Sequence, residues 1–238
     1  MISFVIPAHN EQALIRQTLA AIRRSAATVG EPFEIIVVDD ASTDRTAALA
    51  GADGARVVRV NLRKISAVRN AGAREAHGDR LIFVDADTLI DEGILRAAMT
   101  ALDMGYVGGG ALVAMEGKIG YSAKALLAFW VLLARVFHWA AGCFIFVRRD
   151  VFDAIGGFDE QLYISEELTF SQAMKKHGRI AILRDRVVTS GRKVRMYPMR
   201  RVWGLLLRFA IRGPRMHRSR EGLEMWYEGR REDPPADQ

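Results

Sequence analysis

Leu81-Ile82-Phe83-Val84-Asp85-Ala86-Asp87 runs four apolar residues into two aspartates one residue apart. In an extended backbone, residues two apart point to the same face, with Cα atoms roughly 6.5 Å apart. Two hard carboxylate ligands on one side of a strand end suit a divalent cation, Mg²⁺ or Mn²⁺, whose other positions go to water and phosphate oxygens. Ligands of α/β proteins gather at the carboxyl ends of strands. Asp85 and Asp87 therefore read as metal ligands beside a diphosphate. The plainer reading is a turn, which aspartate also favours, so the rest of the chain has to carry the weight.

Working outward, strand and helix patterns alternate. Ile2–Ile6 reads as a strand ended by Pro7, Glu11–Ala27 as a helix, and Phe33–Val38 as a second strand running into Asp39-Asp40. Ser42 or Thr43 is placed to cap a short helix through Ala50. A strand over Arg56–Val60, a helix over Ile65–His77 closed by Gly78, and a helix over Asp91–Met104 complete the first half. Continuous apolar strands separated by helices predict an α/β domain, its mostly parallel sheet covered on both faces. Beyond Val107 the expected elements are a strand over Gly110–Met115, an apolar helix over Tyr121–Ala140, a strand over Phe144–Val147, a Gly156-Gly157 turn and a helix over Glu166–His177.

The chain has 238 residues, half of them hydrophobic, a formal net charge of +6 and a pI of about 9.8. That length fits one large domain with an appendage, and the charge suits anionic partners. The single cysteine, Cys143, excludes an internal disulfide framework and fits a reducing compartment. Strand-like residues begin at Ile2, so no secretory signal is expected. The apolar run Ala125–Ala134 is shorter than the roughly 20 residues that span a bilayer. A cytoplasmic protein follows, with the cytoplasmic membrane face as its alternative resting place.

The first strand runs into Pro7-Ala8-His9-Asn10-Glu11 rather than a dinucleotide-binding glycine loop, and no P-loop is present. Together with Val37-Val38-Asp39-Asp40-Ala41-Ser42-Thr43-Asp44, Arg69-Asn70-Ala71-Gly72, the Asp85-Ala86-Asp87 run, and Phe146-Val147-Arg148-Arg149 through Gly156-Gly157-Phe158-Asp159-Glu160 to Glu166-Glu167, it resembles the family 2 glycosyltransferases of the GT-A fold. The resemblance covers Ile2 to Gly178 with the motifs in family order.

It implies transfer of a sugar, with inversion, from a nucleoside-diphosphate donor, UDP favoured over GDP, to a hydroxyl that a lipid could carry. It also implies that Asp40, with Asp39 beside it, contacts the nucleotide base and that Arg69 lies near the nucleotide. Further donor contacts fall to Pro7, His9, Glu11, Asp85 and Ala86, and the metal to Asp85 and Asp87. Glu166-Glu167 stands where the family usually has Glu-Asp, so Glu167 is the candidate base, with Glu166 beside it. The extra methylene shifts that carboxylate by about 1 Å, enough to matter for geometry. The competing reading makes Ser165 an N-cap followed by two dipole-stabilising glutamates.

The sequence divides into a GT-A-like domain over residues 1–190, a basic, partly helical extension over 191–231 and a frayed tail over 232–238. In the extension, arginines accompany Val202, Leu206 and Phe209 at helical spacing, a pattern for packing on the domain or for meeting an anionic membrane. Arg192 and Lys193 could alternatively close over the donor diphosphate, and Arg63, Lys64, Arg148 and Arg149 are further diphosphate candidates. No recognition-helix motif or stacking platform supports nucleic-acid binding. A catalytically inactive membrane scaffold of the same fold and a sugar-nucleotidyltransferase are the competing functional classes.

Overall fold

A computed structural model describes residues 1–117, 120–140 and 142–192, with Met196, Gly204 and Arg218. The expected amphipathic helix around Val202, Leu206 and Phe209, Lys193 and the tail over 232–238 lie outside the described residues.

Among the described residues eight strands form one sheet: β1 (Ile2–Ala8), β2 (Phe33–Asp40), β3 (Arg56–Val60), β4 (Arg80–Val84), β5 (Thr88–Leu89), β6 (Gly108–Glu116), β7 (Phe144–Arg148) and β8 (Ile180–Ser190). Their spatial order is β3-β2-β1-β4-β7-β6-β8-β5. β1 to β4 pair in parallel, and β7 and β5 run against their neighbours.

The sheet must curl. β4 and β5 lie four places apart in the order, about 19 Å in a flat sheet. The connection from Val84 to Thr88 reaches only about 14 Å. The far edge therefore folds back over the end of β4, aided by the register shift between Ala111 and Leu112 opposite β8. The segment Asp85-Ala86-Asp87 is that connection, and it is pinned where the sheet closes on itself: Asp85 N–H donates to the Cys143 carbonyl (3.1 Å) and Ser190 N–H to the Asp87 carbonyl (3.1 Å).

Among the described residues seven helices flank the sheet: α1 (Ile15–Ala27), α2 (Thr46–Ala52), α3 (Ile65–Glu75), α4 (Glu92–Asp103), α5 (Tyr121–Val136), α6 (Arg149–Ile155) and α7 (Glu166–Lys175). Alternation along β1 sends Phe4 and Ile6 into a core with Ile15, Leu19 and Ile94, and Val5 into a second core with Val68, Phe83 and Phe158. Sheet burial on both faces is thus as the continuous apolar runs predicted.

Two expectations need correction. The first helix starts at Ile15, four residues later than Glu11, because Asn10 takes a left-handed conformation (φ 53°) and residues 9–12 form a loop. Neither Ser42 nor Thr43 caps a helix; α2 starts at Thr46, and Ser42 Oγ accepts from Asn10 N–H (2.9 Å). Helix α6 and strand β8 were not anticipated. The glycines at 108–110 serve close strand pairing, since a Cβ on Gly109 would lie 2.0 Å from the Ala181 carbonyl.

Candidate active site

The carboxyl ends of β1, β2 and β4 bring the motif residues together. Loop 9–12 is fastened to the loop after β2: Asn10 Oδ1 accepts from Thr43 N–H (2.8 Å), and Glu11 N–H donates to the buried Thr46 hydroxyl (2.8 Å). His9 Nδ1 lies 2.7 Å from the Asp40 carbonyl and its Nε2 2.7 Å from Arg63 Nη1, a network satisfied by a proton on Nδ1. Pro7 lies within β1, one residue before that strand's end at Ala8.

Asp40 Oδ1 accepts from the N–H groups of Leu62 (2.7 Å) and Arg63 (3.0 Å), tying down the loop after β3. Its neighbour Asp39 is 5% exposed, and its Oδ1 is buried with no hydrogen-bond partner. A buried acceptor left empty costs about 1–3 kcal/mol. Asp39 thus carries a buried oxygen with acceptor capacity, while Asp40 spends Oδ1 on the loop after β3.

Arg69 is the hub. Its guanidinium is 1% exposed and donates from Nη2 to Asp85 (3.1 Å) and from Nη1 to Glu166 (3.0 Å) and Glu167 (3.1 Å). It is buried among carboxylates instead of lying open to a nucleotide. Burial opposes its charge, but Glu167, Asp85 and Glu166 outweigh that and hold its pKa above the usual value. Ala86 turns into the core, and its carbonyl accepts from the Thr18 hydroxyl (2.9 Å), so its side chain is closed to a donor.

Asp87 belongs to a second cluster. Arg192, 3% exposed, reaches back from the end of β8 to pair with Glu11 and with Asp87 (3.4 Å), while its Nε and Nη1 are buried and unpaired. The site thus extends past residue 190. Two guanidinium groups face five carboxylates: Glu11, Asp85, Asp87, Glu166 and Glu167. The shortage of positive charge shows in Glu166, whose pKa is raised to about 8 by burial first and then by the Glu167 charge. A hard divalent cation fits that imbalance. Among the described residues no group of three or more His, Cys, Asp or Glu side chains is arranged to hold a metal. Asp85 and Asp87 alone would leave positions for phosphate and water.

Glu166 and Glu167 differ in exposure, at 4% and 19% of their side chains, so Glu167 is the one that faces solvent. Ser165 occupies the N-cap position in a left-handed conformation (φ 65°) and makes no capping hydrogen bond. Simple capping therefore does not explain this segment, and strained backbone of this kind clusters at functional sites.

Other candidates prove structural. Arg149 donates to the carbonyls of Ala73, Ala76 and Gly78 and closes the end of α3, and Arg148 pairs with Asp150. Arg148 sits opposite Arg80, at the end of β4 remote from Asp85, and Arg149 follows it at the start of α6. Lys64 donates to the Glu160 carbonyl (2.7 Å). Asn70 is a clamp that sequence reasoning passed over: it exchanges hydrogen bonds with the Phe158 backbone (2.8 and 2.9 Å), seating the Gly157 turn that leads to α7.

A curled, mostly parallel sheet with acidic strand ends facing a glutamate-headed helix defines the GT-A architecture. Solved structures agree: Staphylococcus aureus TarS 1–349 with UDP-GlcNAc (TM-score 0.62, 19% identity, 79% of this chain, 58% of that one) and a mannosyltransferase of Pyrobaculum calidifontis with GDP-Man and Mn²⁺ (0.62, 23%, 79% and 56%). The family model for glycosyl transferase family 2 matches residues 3–156, and the chain belongs to that family. Curated relatives include a probable glycosyltransferase of Bacillus subtilis, YdaM (26% identical over 85% of this chain and 50% of the relative), and an undecaprenyl-phosphate 4-deoxy-4-formamido-L-arabinose transferase of Pseudomonas aeruginosa (38% over 37% and 28%). The chain thus spans half or less of these relatives' length.

Proposed function

We propose that this chain moves a sugar from a nucleoside-diphosphate donor to a hydroxyl acceptor by one inverting displacement, with a divalent cation held by Asp85 and Asp87. The observation that carries the reading is Arg69, whose single guanidinium links Asp85 to Glu167. The residue that would hold the metal and the acid that would activate the acceptor are thereby kept within one side chain's width.

Asp39 supplies the vacant buried acceptor for an N–H of the nucleotide base. When bound, the cation would neutralise charge developing on the departing diphosphate. Arg69 Nη1 donates to Glu167 and orients it, and Glu167, partly open to solvent, takes the acceptor's proton. The Pyrobaculum neighbour's GDP-Man and Mn²⁺ and the Staphylococcus neighbour's UDP-GlcNAc support a nucleotide-sugar donor with a metal. The Pseudomonas relative's undecaprenyl-phosphate substrate supports a lipid-linked acceptor.

Calorimetry with UDP, GDP, CDP and TDP, with and without Mn²⁺, tests the reading. Asp87→Ala is expected to lose metal-dependent nucleotide binding; unchanged affinity would remove the metal assignment. Glu167→Gln is expected to bind nucleotide normally and to lose about 10²–10⁴-fold in transfer. Retained turnover would place the base elsewhere or point to an acceptor already ionised.

A further inference from the structure

Helix α5 carries an apolar face that the described residues leave uncovered. Tyr121, Phe129, Leu132 and Val136 are 91, 57, 56 and 61% exposed. At about 100° per residue these positions fall within one arc of roughly 80°. An uncovered apolar stripe of this length marks an interaction surface. Its border is cationic: Lys124 and Arg135 lie side by side along one edge on the same wheel, and both are exposed. No carboxylate occurs in the sequence between Glu116 and Asp150. At the helix's far end, Arg135 joins Tyr106, His138 and Arg184 in lining a cavity of about 290 Å³.

Charge decides the occupant. Pairing this face with a second copy would bring Lys124 and Arg135 against their own kind in a chain of net charge +6. An anionic bilayer meets both the apolar stripe and its cationic border. We propose that α5 is a membrane-docking helix: its stripe enters the interface of an anionic bilayer, and Arg135 with the basic cavity beside it meets lipid phosphate.

The docking surface is wired to the site. After α5 the chain passes Phe137, whose carbonyl accepts from Lys175, and Ala140, whose N–H donates to Ser171 (2.9 Å), both on α7. It then reaches Cys143, whose carbonyl holds the Asp85 amide (3.1 Å). A docked α5 therefore brings a lipid-borne acceptor toward Glu167 and Asp85. That last step rests on the sugar-transfer reading; the docking itself does not.

The experiment places an environment-sensitive fluorophore on Leu132→Cys of the full chain, with Gln17→Cys on exposed α1 as control. Native Cys143 does not compete for the label, because it is buried and its thiol is pushed up to about 12, by burial and then by the Asp85 charge. Vesicles of phosphatidylcholine with phosphatidylglycerol are expected to raise and blue-shift emission several-fold at position 132 but not at 17, and pure phosphatidylcholine much less. Adding Phe129→Asp is expected to weaken partitioning about tenfold or more, from the loss of one buried aromatic ring. Three results would overturn the proposal: equal or absent responses at 132 and 17, emission already blue-shifted in buffer (another segment covers the stripe), or a shift that grows with protein concentration alone (a second copy does). Nucleotide calorimetry on the Phe129→Asp variant is expected to match the unsubstituted chain. Lost nucleotide binding in every variant would count against sugar transfer and leave docking standing.

Discussion

Arg69 is buried and its two terminal nitrogens serve three carboxylates, so removing it leaves Glu166 buried without its partner and Asp85 and Glu167 only partly reached by water. Arg69→Met is expected to cost about 3–5 kcal/mol in denaturant unfolding, the range for breaking a buried ion pair; a cost below about 1 kcal/mol, typical of surface pairs, would contradict the hub. Glu166 makes a separate test. Its pKa rises on folding from 4.5 to about 8, so between those values the folded chain binds a proton that the unfolded chain has lost. Stability from this group is complete below about pH 4.5 and drains away as pH climbs toward 8. Glu166→Gln, neutral throughout, should flatten that decline and make the variant the more stable form at pH 8; parallel pH–stability curves would refute the assignment. At this scale the sequence disclosed which residues gather but not how they partner. The shared strand end of Asp85 and Asp87 was readable from the apolar run before them; the interest of Glu167 came only from the family resemblance. The sinking of Arg69 among acids, the hold of Asp40 on the Leu62 and Arg63 amides, and the grip of Arg192 on Glu11 depend on side-chain directions that spacing does not encode.

Helix α3 lies so close on the sheet that a Cβ at Gly72 would stand 2.4 Å from Val5 Cγ1 and 2.7 Å from Val38 Cγ2. The contact fixes the height of Arg69, one turn earlier on the same helix. Gly72→Ala is expected to destabilise by about 1–3 kcal/mol through overpacking. Adding Val5→Ala should restore part of that loss, and thermal unfolding of the double variant would show the coupling. Strict additivity would mean that α3 can lift off the sheet. The parallel half of the sheet was readable because each strand there is a continuous apolar run punctuated by a helix. β8 escaped notice because Arg184-Asp185-Arg186 interrupts it between Leu183 and Val187. That interruption is where the register slips: Ala111 pairs with Leu183, and Leu112 next pairs with Arg186. A bulge that accommodates charged residues mid-strand has the sequence appearance of a loop. α6, at seven residues, is too short for its periodicity to stand out. Missing β8 also hid the route by which Arg192 enters the site.

Across the whole molecule, charge is sorted by place: the chain carries +6 overall, yet among the described residues the site gathers five acidic side chains, from the loop after β1, the turn after β4 and the head of α7, against two guanidinium groups. Carboxylates held together at a domain's edge repel one another, and Arg69 and Arg192 cancel only part of that. The residual field repels a nucleoside diphosphate, which is itself anionic. A divalent cation reverses the sign of the interaction, so cation and nucleotide should bind together far better than either alone. Thermal unfolding reads this directly. A ligand pair at about a hundred times its dissociation constant adds about 2.7 kcal/mol, which in a domain of this size lifts Tm by roughly 5–10 °C. Mn²⁺ alone and nucleotide alone should each give a small fraction of that shift. Asp87→Asn, which removes one negative charge while keeping the shape, should abolish the joint shift even though loss of the Arg192 pair lowers the unliganded Tm. If nucleotide alone produced the full shift, positive side chains such as Arg63 and Arg192 would be holding the diphosphate, and the acidic strand ends would have some other task.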